Sequence, residues 1–166
     1  MQSNCCDMLV FGGTGDLALH KLLPALYYLH RGGRLHRDTR ILALARSTHT
    51  RAAYQALAER HCRAQVARAD FDDDTWRSFA ERLDYFAMDA SQSADFGRLA
   101  KSLGSDRERV RVYYLATAPD LFEAIATHLK VAGLAGAGCT HRAGKAHRPF
   151  AAIGPGDQCR YRSGVR

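Results

Sequence analysis

No apolar run in this chain approaches the roughly 20 residues of a membrane-spanning helix, so no membrane partner is expected. The opening Met-Gln-Ser-Asn-Cys-Cys-Asp has neither a basic segment nor an apolar one, and no export signal is expected there. The five cysteines are an odd count with no C-x-x-C pair: Cys5 and Cys6 are adjacent, while Cys62, Cys139 and Cys159 are scattered. That spacing argues against a zinc site or a disulfide framework and points to reduced thiols in a cytoplasm, with no metal expected. No internal repeat is visible, and 166 residues suit one domain with a sizeable core.

Acid is nearly missing from one region. Residues 137–166 hold Arg142, Lys145, Arg148, Arg160, Arg162 and Arg166 against Asp157 alone, so most of the net charge of +7 belongs there. The rest of the chain is close to neutral. Phe150 and Tyr161 are the tail's only aromatics and lie far apart, which leaves no recognisable nucleic-acid module; no nucleic-acid partner is expected.

What the chain does have is a repeating grammar of strand and helix. A short apolar run, Met8 to Phe11, gives way to Gly12-Gly13-Thr14-Gly15 and then to a helical pattern over 16–30. This is the context of a dinucleotide-binding fingerprint. Gly12 turns the chain off the strand, and Gly15 lets a pyrophosphate approach the N–H groups that open the helix. Ala18 is small enough for helix and strand to pack closely. Pro24 removes one backbone bond and predicts a bend near His20 and Lys21, and Gly32-Gly33 ends the helix.

Further strands are expected over 40–45, 84–88 and 110–115, and further helices over 51–63, 75–83, from a Ser91 cap onward, and from Pro119 to about 132. The alternation predicts an α/β fold, a Rossmann-like doubly wound parallel sheet of four strands in the order 3-2-1-4. From residue 137 neither periodicity persists, and a basic disordered tail is expected over 137–166 beside an incomplete domain over 1–136.

Arg46 is the most informative side chain. An NAD enzyme places Asp or Glu after the second strand to hold the ribose 2′-hydroxyl. Here the strand ends Leu44-Ala45-Arg46, and a guanidinium suits a 2′-phosphate, so NADP is the expected cofactor. Asp16 is expected off the pyrophosphate, either stabilising the helix start or bonding on the substrate side. Asp89 reads as a cap. His20, His30, His36, His49, His61 and His128 lie on or beside helices with no carboxylate at a telling spacing, and read as surface residues.

Residues 7–136 resemble the glucose-6-phosphate dehydrogenase family. Gly12-Gly13-Thr14-Gly15-Asp16-Leu17-Ala18, with Lys21-Leu22 and Pro24-Ala25-Leu26, is similar to that family's G-x-x-G-D-L-A-x-[RK]-K-L-x-P-[AS]-L signature. Arg46 and Tyr114-Leu115-Ala116-Thr117-Ala118-Pro119 match two further segments in order, while His20 stands where the family commonly has Arg or Lys.

The resemblance implies hydride transfer from C1 of glucose 6-phosphate to NADP, giving the lactone, in the oxidative pentose phosphate route. It implies Gly12, Gly13, Thr14, Gly15, Asp16, Leu17 and Arg46 around the coenzyme, Ala116, Thr117 and Pro119 on its nicotinamide side, and Lys21 as a contact to the sugar phosphate. Read without the family, Ala116 to Pro119 is equally a helix cap, and Lys21 a solvated lysine. The family's general-base histidine, its larger second domain with the subunit contacts of a homo-oligomer, and a fifth strand ending Glu-Lys-Pro have no counterpart in this sequence. The expected chain is a truncated or frame-shifted, catalytically incomplete fragment.

Overall fold

The computed structural model describes residues 6–104, 109–135 and 140–143. Strands β1 (Cys6–Phe11), β2 (Arg40–Ala45), β3 (Leu83–Ala87) and β4 (Val110–Leu115) form in the expected order. Helix α1 (Leu23–Arg31) links β1 to β2. Helices α2 (Arg51–Gln65) and α3 (Asp73–Ala80) link β2 to β3, α4 (Ser93–Leu103) links β3 to β4, and α5 (Phe122–Val131) follows β4. All strands pair in parallel, in the order β3-β2-β1-β4-β5.

β5 (Thr140–Ala143) corrects the sequence expectation: the sheet does not stop at four strands, and the stretch after 136 is not all tail. Its register, Val112↔Thr140 to Leu115↔Ala143, places it on the outer side of β4. Thr-His-Arg-Ala carries no apolar alternation to announce a strand, because an edge strand can be held by backbone pairing. The remaining tail, 137–139 and 144–166, lies outside the described residues.

Both faces of the sheet are covered. Successive strand residues point to opposite sides, so Val10, Ile41, Ala43 and Leu83 join Leu26, Tyr27, Tyr54, Trp76 and Phe79 from α1, α2 and α3. Leu9, Phe11, Leu44, Tyr113 and Leu115 face Phe96, Leu99, Ile125 and Leu129 from α4 and α5. Burying each large apolar side chain contributes about 1.5–3 kcal/mol. Leu83, expected on α3, instead opens β3 opposite Ile41; its apolar side chain suits either element, and sheet pairing decides. Asp72 caps α3, accepting from the N–H groups of Asp74 and Thr75 at 3.0 Å.

The strands are clipped at their N-terminal ends by Asp7, which is buried. Its carboxylate accepts from Arg40 Nε at 2.8 Å and Nη2 at 2.6 Å, and from Arg109 Nε at 2.7 Å. Burial alone would raise this carboxyl's pKa; the bonds and charges of the two guanidinium groups outweigh it and hold the group below its ordinary value of 3.8.

Candidate functional site

At the opposite, C-terminal ends of β1, β2 and β4 the chain makes three loops that meet. Gly12 leaves β1 with φ +77°, and a Cβ there would lie 2.5 Å from the carbonyl oxygen of Ala116, just past β4. A Cβ on Gly13 would lie 2.6 Å from Ala43 Cβ on β2. Both glycines let the loop press between its neighbours. Their own N–H groups are used there, donating to Leu44 O at 2.9 and 3.0 Å. Gly15 N–H donates to Gly12 O at 2.9 Å. Among the described residues no backbone acceptor meets the N–H groups of Thr14, Asp16 and Leu17. These, unlike those of Gly12 and Gly13, are left open at the helix start, the end where the helix dipole favours negative charge.

Past the loop the helix takes a π turn, Ala18–Leu22, with Leu23 N–H reaching Ala18 O. The wide turn falls at His20 and Lys21, where Pro24 leads one to expect the helix to depart from regular geometry. Lys21 rides on it, exposed, as is Asp16, whose side chain is 99% accessible. Arg46 lies one residue beyond β2, exposed, with no hydrogen bond or ion pair among the described residues. On the β4 side, Ala116 N–H donates to Phe11 O at 2.9 Å. Thr117 Oγ1 is buried with no partner among the described residues, while its Cγ2 lies 3.2 Å from where a Gly12 Cβ would be. Pro119 opens a 3-10 turn, Pro119–Leu121, that runs into α5. The structure therefore gathers the glycine loop, Arg46 and the 116–119 segment at one sheet edge.

Two features are missed by sequence reasoning. Tyr54 of α2 is buried, and its hydroxyl donates to Gly13 O at 2.9 Å, fixing the loop from the side; burial pushes its phenol well above the ordinary value. His20 corrects the reading of the histidines as lacking carboxylates. Its Nδ1 lies 3.6 Å from Asp16 Oδ1 one helical turn away, and its Nε2 is 2.9 Å from His61 Nδ1 on α2. Burial lowers the pKa of His61, with the neighbouring His20 and Arg60 adding to it. An i,i+4 acid was the available signal for the first contact.

A second correction concerns Ser91, which is not the cap of α4; Gln92 is. Ser91 is bound instead by Asp89, whose Oδ1 accepts from Ser91 N–H at 2.9 Å and Oγ at 2.8 Å. A groove of about 600 Å³ between α2 and α3, lined by Gln55, Glu59, Arg63, Trp76 and Arg77, includes none of the site residues above.

A parallel sheet wrapped on both faces, with a glycine loop and a helix start at the point where the strand order reverses, defines a Rossmann-type nucleotide-binding domain. The family model described as "Glucose-6-phosphate dehydrogenase, NAD binding domain" matches residues 9–145, and the chain belongs to the glucose-6-phosphate dehydrogenase family. Glucose-6-phosphate 1-dehydrogenase of Zymomonas mobilis is 38% identical over 136 residues, 82% of this chain and 28% of that protein. The enzyme of the same name from Mycolicibacterium smegmatis is 37% identical over 133 residues, 78% and 27% of the two chains. A crystal structure of glucose-6-phosphate 1-dehydrogenase from Mycobacterium avium superposes with a TM-score of 0.76 at 28% identity, covering 84% of this chain and 29% of that one. The chain thus spans less than a third of the length of these relatives.

Proposed function

We propose that this chain is the NADP-binding part of a cytoplasmic glucose-6-phosphate dehydrogenase and holds the coenzyme across the C-terminal edge of its sheet. The observation that carries the reading is Arg46, a guanidinium with no partner among the described residues, one residue past β2 where an NAD enzyme has an acid. The N–H groups of Thr14, Asp16 and Leu17 face the pyrophosphate, and Gly12 and Gly13 let the backbone come close. Ala116, Thr117 and Pro119 line the nicotinamide side, where the Thr117 hydroxyl, without a partner among the described residues, offers a hydrogen bond. Bound NADP accepts the hydride from C1 of glucose 6-phosphate.

Lys21 contributes one charge toward the sugar phosphate. No matched position supplies the general base that the C1 hydroxyl needs, so the 166 residues bind coenzyme without turnover, and the homo-oligomer of the family lies beyond what they form alone. Fluorescence titration with NADPH and NADH, beside an absorbance assay with glucose 6-phosphate, tests this. Expected are saturable binding that favours NADPH, its loss by roughly ten- to a hundred-fold in Arg46→Ala with NADH unchanged, and no oxidation. A wild-type preference for NADH overturns the coenzyme reading, and robust turnover overturns the incompleteness.

The frame of the tail is part of the same proposal. Gly144-Lys145-Ala146 is encoded by GGN-AAR-GCN. Read one nucleotide on, those bases become GNA-ARG-CNN, which admits Glu-Lys-Pro, the segment the family resemblance places after the fifth strand. The codons of Thr140 to Ala143 admit an apolar ending, Val-Leu, in that frame. The coding DNA beyond codon 137 is expected to show this strand in the shifted frame; DNA that spells no Glu-Lys-Pro there defeats the idea.

A further inference from the structure

Gly13 is tied to its surroundings at both ends of the residue. Its N–H donates to Leu44 O at 3.0 Å, and its carbonyl oxygen accepts from the Tyr54 hydroxyl at 2.9 Å. The second tie comes from α2, from a side chain only 1% exposed whose ring packs on that of Tyr85 with 5.1 Å between centroids. Burial pushes the phenol above its ordinary value, so the hydroxyl keeps its proton and remains a donor.

In a trans peptide the C=O and N–H of one plane point in opposite directions. Tyr54 draws the Gly13 carbonyl toward α2, so the Thr14 N–H of the same plane points the other way, and no backbone acceptor among the described residues meets it. The start of the helical ladder changes as well. Leu19 N–H donates to Gly15 O at 3.0 Å, the ordinary bond to the fourth residue back. The same bond two residues earlier would join Leu17 N–H to Gly13 O. It is not made, and that carbonyl faces Tyr54 instead.

We propose that Tyr54 is a positioning residue for the coenzyme pyrophosphate: its hydroxyl turns the Gly13–Thr14 peptide so that the Thr14 and Leu17 N–H groups stay open to phosphate oxygens. The proposal rests on the coenzyme reading above. Without the hydroxyl the Gly13 carbonyl has two outlets, each unfavourable to a bound anion. Swinging outward, it sets a partial negative charge beside the phosphates; accepting from Leu17 N–H, it closes the first turn and withdraws a donor.

Tyr54→Phe keeps the ring and deletes only the hydroxyl. The 166-residue chain is titrated with NADPH and NADH by fluorescence, and adenosine 2′-monophosphate, which has no pyrophosphate, is read by its displacement of NADPH. In Tyr54→Phe both dinucleotides are expected to lose roughly five- to twenty-fold in affinity, while adenosine 2′-monophosphate stays within two-fold of its wild-type value. Cys62→Ala removes another buried group from α2 and leaves the hydroxyl in place, so it lowers the Tm without weakening NADPH.

NADPH affinity within two-fold of wild type in folded Tyr54→Phe overturns the inference. So does an equal loss for adenosine 2′-monophosphate, or the same loss in Cys62→Ala, because either marks a general loosening of the domain. The wild type supplies a reading that needs no variant: the Thr14 amide resonance shifts as NADPH is added, and its staying fixed at saturation overturns the inference too. Each of these failures leaves the coenzyme reading standing, whereas a wild-type chain that binds neither dinucleotide overturns both.

Discussion

Replacing Asp7 by Asn lowers the stability of the domain by about 3–5 kcal/mol, the cost of breaking a buried ion pair and stranding its partners. The side chain is 3% exposed and that of Arg109 17%, so the Arg109 guanidinium has little water to turn to when the carboxylate goes. Arg40, at 53%, recovers much of its hydration and accounts for the smaller share. For a domain of this size the loss corresponds to a drop in Tm of roughly 6–20 °C, read by circular dichroism.

The pH dependence has a definite sign. A carboxyl held below its unfolded value stabilises the fold above about pH 4, and that contribution disappears as pH falls through the lowered native value. The wild type therefore loses stability below about pH 4, and the Asn variant lacks that component. A variant as stable as the wild type at pH 7 would show that the clip contributes nothing. Because Asp7 sits at the end of β1 remote from the glycine loop, coenzyme preference in the folded variant is expected to stay unchanged.

Gly12→Ala has the opposite profile, with its largest effect on the site. At φ +77° an L side chain is strained by about 1–3 kcal/mol. The new Cβ would also meet the Ala116 carbonyl, which is backbone anchored by Ala116 N–H on Phe11 O. Neither the loop nor the β4 end can yield without disturbing the other, so NADPH affinity is expected to fall by about a hundred-fold or more, equivalent to roughly 3 kcal/mol. Gly33→Ala provides the control: φ is +64° but nothing lies within 4 Å, so only a modest loss of stability and no loss of NADPH binding is expected. Equal NADPH affinities for Gly12→Ala and wild type, by fluorescence titration, would remove the glycine loop from the site.

Much of this was legible before the structure. The order of the first four strands follows from alternation, because a buried parallel strand and an amphipathic helix have different periods. The glycine loop was legible because its residue types have few other uses after a strand. The donors that the loop presents were not, since which N–H groups are already bonded depends on Leu44 of the neighbouring strand. The Asp7 clip was invisible for a related reason: its partners stand 33 and 102 residues away in sequence. Tyr54 reads as an ordinary core aromatic in a helix, and only packing brings its hydroxyl to the Gly13 carbonyl. β5 is not announced because Thr-His-Arg-Ala has no apolar alternation, and Ser91 reads as a cap because a side chain able to cap a helix can equally be bound by an acid two residues earlier.

The π turn ahead of Pro24 has one more effect. A wide turn accommodates an extra residue, and each residue advances an α-helix by about 100°. The half of the helix before the turn is thereby out of phase with the half that buries Leu26 and Tyr27. Its leading residues can be oriented by the loop they follow while the trailing ones answer to the hydrophobic layer beneath, so neither demand dictates the other along one continuous rod.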